Sequence, residues 1–113
     1  MKIIQTINEM LINKKFNNLK TYKINNRNYL FDYAIVSSGM SLRHNMIAGC
    51  DVYSEIKNLA NQNDIRFNLS LNDKDDRWVS IEVDDIIFHI MSDEARDYYQ
   101  IDNFYQEFGS LVI

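Results

Sequence analysis

Near the N-terminus, Ile3, Ile4, Ile7, Met10 and Leu11 recur on one face of a 3.6-residue period, which predicts a helix over residues 2–16. Asn17 and Asn18 end it, because Asn favours turns over helix interiors. "LKTYKI" then reads as a short edge strand and "NNRN" as a connector. In "FDYAIVSS" four consecutive apolar residues, Tyr33 to Val36, predict a strand covered on both faces. Ser41 is placed to cap the next helix, whose buried stripe is expected at Leu42, Met46, Cys50, Tyr53, Ile56 and Ala60, as far as "NQND".

"IRFNLSLN" alternates, with Ile65, Phe67, Leu69 and Leu71 pointing one way, and so predicts a half-buried strand. "DKDDR" reads as a charged loop. "WVSIEV" sets Val79, Ile81 and Val83 on one strand face, with Trp78, Ser80 and Glu82 on the other. Asp84-Asp85 turns the chain into the strand "IIFHIM". Ser92 caps one final helix with Asp93 and Glu94 in its first turn, where the helix dipole favours anions. Tyr98, Ile101, Tyr105 and Phe108 are its expected buried stripe, and residues 107–113 form a short tail. The predicted order is α-β-β-α-β-β-β-α: an α/β single domain over residues 1–113, with a mixed sheet packed against helices.

Composition narrows the function. The 113 residues are 46% hydrophobic, enough for one core, and contain no Pro and three Gly, which argues against a flexible linker. Net charge is −4 with the basic residues scattered, so backbone-driven nucleic-acid binding is not expected and a basic protein partner suits the surface better. A single cysteine, Cys50, allows no internal disulfide and is expected to be a small buried helix residue. Neither a signal peptide nor a membrane-length apolar run is visible, so the chain is expected to be soluble and cytoplasmic.

Candidate chemistry starts at "SSGMSLRH", residues 37–44. Ser41 and His44 lie three apart, but no carboxylate is placed by the sequence to orient the imidazole. The glycine turn before a helix could receive a phosphate, yet it matches neither of the glycine-rich phosphate motifs. It does resemble the loop that opens a nucleotidyltransferase site, and a nucleotide- or phosphate-binding enzyme is the alternative reading. Such an enzyme needs a pair of acidic residues on the strand after the following helix, and "IRFNLSLN" has none. Gly39 is expected to let the chain turn off its strand, and Arg43 and His44 to hydrogen-bond across the turn. His44 and His89 lack further ligands at metal spacing, so no metal is expected, and His89 reads as a hydrogen-bonded structural residue. Trp78 is the most informative side chain. An indole on the polar side of a strand is either covered by a helix or left for a partner, and its rim of Asp75, Asp76, Arg77 and Glu82 has the composition of a binding hot spot.

Three stretches together resemble the Iojap family, the ribosome silencing factors. "FDYAIVSSGMSLRH" matches its first signature at Asp32, Gly39, Ser41, Arg43 and His44. "RWVSIEVDDIIFHIM" matches the second at Trp78, Asp85 and His89. "DEARDYYQIDNFY" matches the third at Glu94, Arg96, Tyr98, Tyr99 and Tyr105. The matching region runs from about residue 19 to 106, with departures at Glu82, Asp84 and Ile101-Asp102, where the family usually has Asp, Gly and Leu-Glu.

The resemblance implies a nucleotidyltransferase-like fold without catalytic acids, no cofactor and no enzymatic activity. It implies a translation repressor that binds the large ribosomal subunit through that subunit's fourteenth ribosomal protein, a basic protein, and blocks joining of the small subunit. Trp78 is the expected centre of contact, with Asp76, Arg77, Ser80, Glu82 and Tyr98 around it. The other signature residues, including Arg96 and Tyr99, are expected to be structural, and a second copy of the chain is a further candidate partner.

Overall fold

The computed structural model describes residues 2–25, 28–62, 69–75 and 78–112, with side chains at all of these except positions 2, 42 and 69–75. Helix α1 (Lys2–Asn13) stops earlier than its periodicity suggests. Lys15 adopts φ 71° and the Phe16 N–H turns back to the Leu11 carbonyl at 3.0 Å, a left-handed helix stop that satisfies the terminal carbonyls. The chain continues as β1 (Asn17–Ile24), β2 (Tyr33–Ser38), α2 (Leu42–Gln62), β3 (Leu69–Asp75), β4 (Trp78–Val83), β5 (Ile86–Met91), α3 (Asp93–Tyr98), α4 (Ile101–Phe108) and β6 (Gly109–Leu111). The strands form one mixed sheet in the order β3-β4-β5-β2-β1-β6, in which β2 and β5 run parallel and the other neighbours antiparallel.

Each sheet face carries its own core. On one, α1 and α2 lay Ile4, Ile7, Leu11, Ala48, Val52 and Ile56 against Ile35, Val79, Ile81, Val83, Phe88 and Ile90. On the other, α3 and α4 bring Ala95, Ile101 and Tyr105 to Tyr22, Ala34, Val36, Ile87 and Met91. The two-sided burial expected for "YAIVSS" is present, since only Tyr33 of β2 remains partly exposed.

Several sequence expectations change. β1 is not an edge: the tail returns as β6 and pairs Tyr22 with Leu111 and Ile24 with Gly109. Gly109 permits this, because a Cβ there would meet the Lys23 carbonyl oxygen at 2.1 Å. The third strand extends beyond "IRFNLSLN" to Asp75, so that Asp73 and Asp75, expected in a loop, pair with Val79 and Trp78. Residues 63–68, with Ile65 and Phe67, lie outside the described residues. Cys50 is exposed rather than buried. The rest of the expected α2 stripe is largely kept, with Ile56 and Ala60 buried and Met46 and Tyr53 packed at its margin, while Asn45, Ala48, Gly49 and Val52 complete the buried face; a Cβ on Gly49 would lie 3.4 Å from Ile90 Cδ1.

The single final helix is two. Gln100, at φ 53°, breaks it. Tyr98 consequently leaves the buried stripe and is 72% exposed, while Ile101 and Tyr105 stay buried. The break also makes an ion pair possible. Six residues apart in an unbroken helix, Arg96 and Asp102 would lie about 9 Å apart along the axis and about 120° apart around it. Here Arg96 Nε and Nη2 donate to Asp102 Oδ2 and Oδ1 at 2.7 and 3.0 Å. Arg96 Nη1 donates to the Asn18 carbonyl at 2.7 Å and to Ser38 Oγ at 2.9 Å, and the Tyr22 hydroxyl donates to Asp102 Oδ1 at 2.5 Å. Arg96 thus joins α3, α4, β1 and β2 from a site that is only 5% exposed. Burial raises the Asp102 pKa, but the Arg96 and Tyr22 hydrogen bonds and the Arg96 charge outweigh it and hold the carboxyl below its ordinary value. Burial, reinforced by the bond to Asp102, pushes the Tyr22 phenol up.

The turn at 37–44 is braced from within. Ser41 Oγ accepts the His44 N–H at 3.0 Å, as expected of a cap. His44 Nδ1 accepts the Met40 N–H at 3.1 Å, so its Nε2 carries the proton and donates to the Lys14 carbonyl at 2.6 Å. Its ring stacks on Phe16 with centroids 4.4 Å apart. Gly39 has no positive φ; it is needed because the buried Asn45 amide lies against it, and a Cβ would meet Asn45 Oδ1 at 1.6 Å. Arg43 and Asp32 are exposed, and the Asp32 backbone links the Ile24 N–H to the Asp85 carbonyl.

Two outcomes are expected. Gly39→Ala should cost about 2–3 kcal/mol in urea unfolding by overpacking, and adding Asn45→Ala should recover part of that, whereas independent costs would show no coupling. Asp102→Asn should cost about 3 kcal/mol at pH 7 by leaving Arg96 buried without its counter-charge. Because the folded-state pKa of Asp102 is depressed, its contribution is present above the unfolded value of about 3.9 and is lost as pH falls through the folded value. The stability gap between wild type and Asp102→Asn should therefore narrow on acidification, as read by urea titrations at pH 7 and pH 3.

Candidate functional site

Trp78 opens β4 on the face served by α3 and α4, and it is neither fully covered nor fully free. Its indole N–H points inward and donates to His89 Nδ1 at 2.9 Å. An indole can only donate, so Nδ1 must be the bare nitrogen and the neutral ring carries its proton on Nε2. Nε2 then donates to the Tyr105 hydroxyl oxygen at 2.6 Å. Tyr105 is buried, and its hydroxyl lies within hydrogen-bond reach of the Tyr29 hydroxyl at 3.1 Å. Burial, followed by the Tyr29 contact, pushes the Tyr105 phenol well above its ordinary value and keeps it neutral. Hydrogen bonds therefore connect Trp78 to His89, His89 to Tyr105 and Tyr105 to Tyr29, linking β4, β5, α4 and the segment before β2.

Outward from this chain, aromatic rings gather. Tyr99 lies 4.9 Å from Trp78, and Tyr98 lies 5.0 Å from Tyr99, edge-on. Phe104 meets Tyr29 and Phe108 at 6.1 and 4.9 Å. Tyr98, Tyr99 and Phe104 are 72%, 40% and 39% exposed. Between them opens a cleft of about 320 Å³, lined by Tyr29, Trp78, Ile87, His89, Tyr99 and Phe104 among others. Exposed aromatic surface of this kind is typical of protein interfaces, where rigid rings bury large area at small entropic cost.

The residues expected around Trp78 separate. Tyr98 stands on the aromatic surface, and Glu82 is half-buried two pleats away on Trp78's own strand face. Ser80 is fully buried opposite His89, and its hydroxyl has no partner among the described residues, so it is not the surface contact expected. Asp76 and Arg77 lie outside the described residues. Of the residues expected to be structural, His89 and Arg96 are buried and bonded as described, whereas Glu94 is exposed and Tyr99 shares the aromatic surface. Sequence reasoning missed Phe104 and Tyr29. The two aromatic pairs that bracket "YYQIDNFY" signal the first, but nothing local ties Tyr29 to the site.

Chemistry elsewhere is sparse. Among the described residues, no group of three or more His, Cys, Asp or Glu is placed to hold a metal ion, and no helix is long and apolar enough to cross a membrane. A polar cleft of about 330 Å³ beside Arg96 is lined by Asn18, Asp93, Asp97, Gln100, Asp102 and Asn103.

Known proteins show similarities at two levels. A protein of Chromobacterium violaceum, known from its X-ray crystal structure, superposes with a TM-score of 0.79 at 22% identity, over 93% of this chain and 84% of that one. A crystal structure of a Bacillus halodurans protein gives a TM-score of 0.67 at 20% identity, over 99% and 97% of the two chains. At these identities the likeness is one of fold. Comparison with curated proteins finds no match. The sequence model of the family described as "RsfS: Ribosomal silencing factor during starvation" matches residues 1–111. Matched over nearly its whole length, the chain belongs to the RsfS family of ribosomal silencing factors.

Proposed function

We propose that the chain silences ribosomes without catalysis. In this reading its aromatic face docks on the large subunit, against the basic fourteenth ribosomal protein, and sterically prevents the small subunit from joining. The observation that carries the proposal is the half-buried Trp78 continuous with the exposed rings of Tyr98, Tyr99 and Phe104, on a chain of net charge −4. Family membership supports the general role. Charge of opposite sign on the partner would speed and orient the encounter, while the rings supply most of the affinity. The proposed place of action is the cytoplasm, where the subunits meet, with no cofactor and no sequence readout of nucleic acid.

The phosphate-binding alternative draws little support from the 37–44 turn. Ser41 Oγ, the Met40 N–H and both His44 nitrogens are already engaged in bracing the turn itself.

Co-sedimentation with purified subunits tests the proposal. Wild type should travel with the large subunit and not the small one. Trp78→Ala should weaken binding by about 30-fold to 1,000-fold, equivalent to about 2–4 kcal/mol, with an unchanged circular dichroism spectrum. Tyr98→Ala, which removes an exposed ring only, should weaken it less. Undiminished binding by Trp78→Ala would reject this face.

A further inference from the structure

The chain of hydrogen bonds beneath Trp78 does more than fill a core. We propose that His89 is the positioning residue of the partner-binding face, and that Tyr105 supports the tautomer in which it works. The proposal deepens the docking reading of the previous subsection and rests on it.

A surface tryptophan can populate several rotamers, and a partner that needs one of them bears the cost of selecting it, about 0.5–1.5 kcal/mol for an immobilised side chain. Here that selection is made before binding. Trp78 has one polar atom, and His89 Nδ1 receives it at 2.9 Å from the neighbouring strand. The indole ring is thereby turned so that Tyr99 lies beside it at 4.9 Å and a cleft opens against Phe104.

The arrangement works only if Nδ1 is unprotonated, and imidazole alone does not choose between its two neutral tautomers. The indole, which can only donate, makes the choice, and Tyr105 supports it. The Tyr105 hydroxyl faces His89 Nε2 at 2.6 Å, where its oxygen can accept from Nε2–H, and the Tyr29 hydroxyl lies 3.1 Å beyond. Were Tyr105 to donate to Nε2 instead, Nδ1 would carry a proton directed at the indole N–H, and two donors would oppose each other. Trp78, His89 and Tyr105, from three elements, thus settle one tautomer between them, and the ring held in place is the one the partner meets.

Trp78 is the sole tryptophan in the sequence, so its indole reports on itself without interference. In ¹H–¹⁵N spectra the wild-type protein should give one indole resonance, shifted downfield and slow to exchange with solvent. Tyr105→Phe removes one oxygen and keeps the ring, while His89→Leu removes the acceptor. Both should shift or broaden that resonance, speed its exchange and move the fluorescence of Trp78 to the red. Large-subunit binding should weaken by about fivefold to tenfold, the scale of one hydrogen bond. His89→Asn, whose Oδ1 can take the place of Nδ1, should restore the resonance and bring binding to within about threefold of wild type. Backbone amide spectra identify any variant that has lost its fold, and Tyr105→Phe is the one least exposed to that outcome.

An indole resonance unchanged in Tyr105→Phe and His89→Leu would overturn the positioning role. So would a displaced indole with undiminished binding, provided that Trp78→Ala abolishes binding. If Trp78→Ala itself binds normally, the docking reading fails, and the indole spectra still decide whether His89 orients Trp78.

Discussion

All six positions of β5 are buried, so both faces of the sheet must be covered, and one of the six is a histidine. On the α1–α2 side this is ordinary hydrophobic packing, with Ile86, Phe88 and Ile90 meeting aliphatic helix residues. On the other side His89 cannot be left with unpaired nitrogens away from water without a cost of about 1–3 kcal/mol. Partners for the two ring nitrogens come from opposite directions, a tryptophan on the adjacent strand and a tyrosine on the last helix. Burial of one imidazole therefore fixes both the inner end of the aromatic surface and the seat of α4. The surface proposed to meet the ribosome is in this sense the outer layer of a solved burial problem.

The second buried polar system serves the same face from behind. Arg96 and Asp102 lie at the junction of α3 and α4, and their bidentate contact requires the left-handed step at Gln100. That step turns Tyr98 and Tyr99 outward while Ile101 and Tyr105 turn inward. A buried ion pair is weak evidence of net stability, and its better-attested use is to select one arrangement over others. Here the arrangement selected is the kinked pair of short helices, since a straight helix would separate the two charges and bury Tyr98.

Much of this was legible in the sequence because periodicity and burial coincide there. The alternation of "WVSIEV", the all-apolar run in "YAIV" and the caps at Ser41 and Ser92 each have one local physical cause, and each element appears where that cause places it. What was not legible depends on distant contacts. β6 is three residues long and exists because β1 offers an edge and Gly109 fits against Lys23. Cys50 fits a helical stripe as well as Ala48 and Val52 do, and only the way α2 is seated on the sheet leaves it exposed while they are buried. Gly39 looked like a hinge and is a contact, a difference set by Asn45 six residues later. In the candidate site the same division holds. Trp78 was visible as an indole on a polar strand face, but its bond to His89, the burial of Ser80 and the contribution of Tyr29 depend on strand register and helix seating.

The departures from the family pattern can now be weighed physically. Asp84 replaces the usual glycine at φ 51°, in the left-handed region that Asp tolerates better than most residues, so the turn survives the exchange. Asp102 stands where the pattern has Glu and is one methylene shorter, yet it still reaches both Nε and Nη2 of Arg96. Neither departure touches the route from Trp78 to Tyr29, in which the indole N–H and both His89 ring nitrogens are engaged within the domain. A partner therefore need not supply an acceptor for the indole. In the proposed docking it would offer apolar area to the rings and charge at their margin, which are demands that this chain can continue to meet while its loops drift.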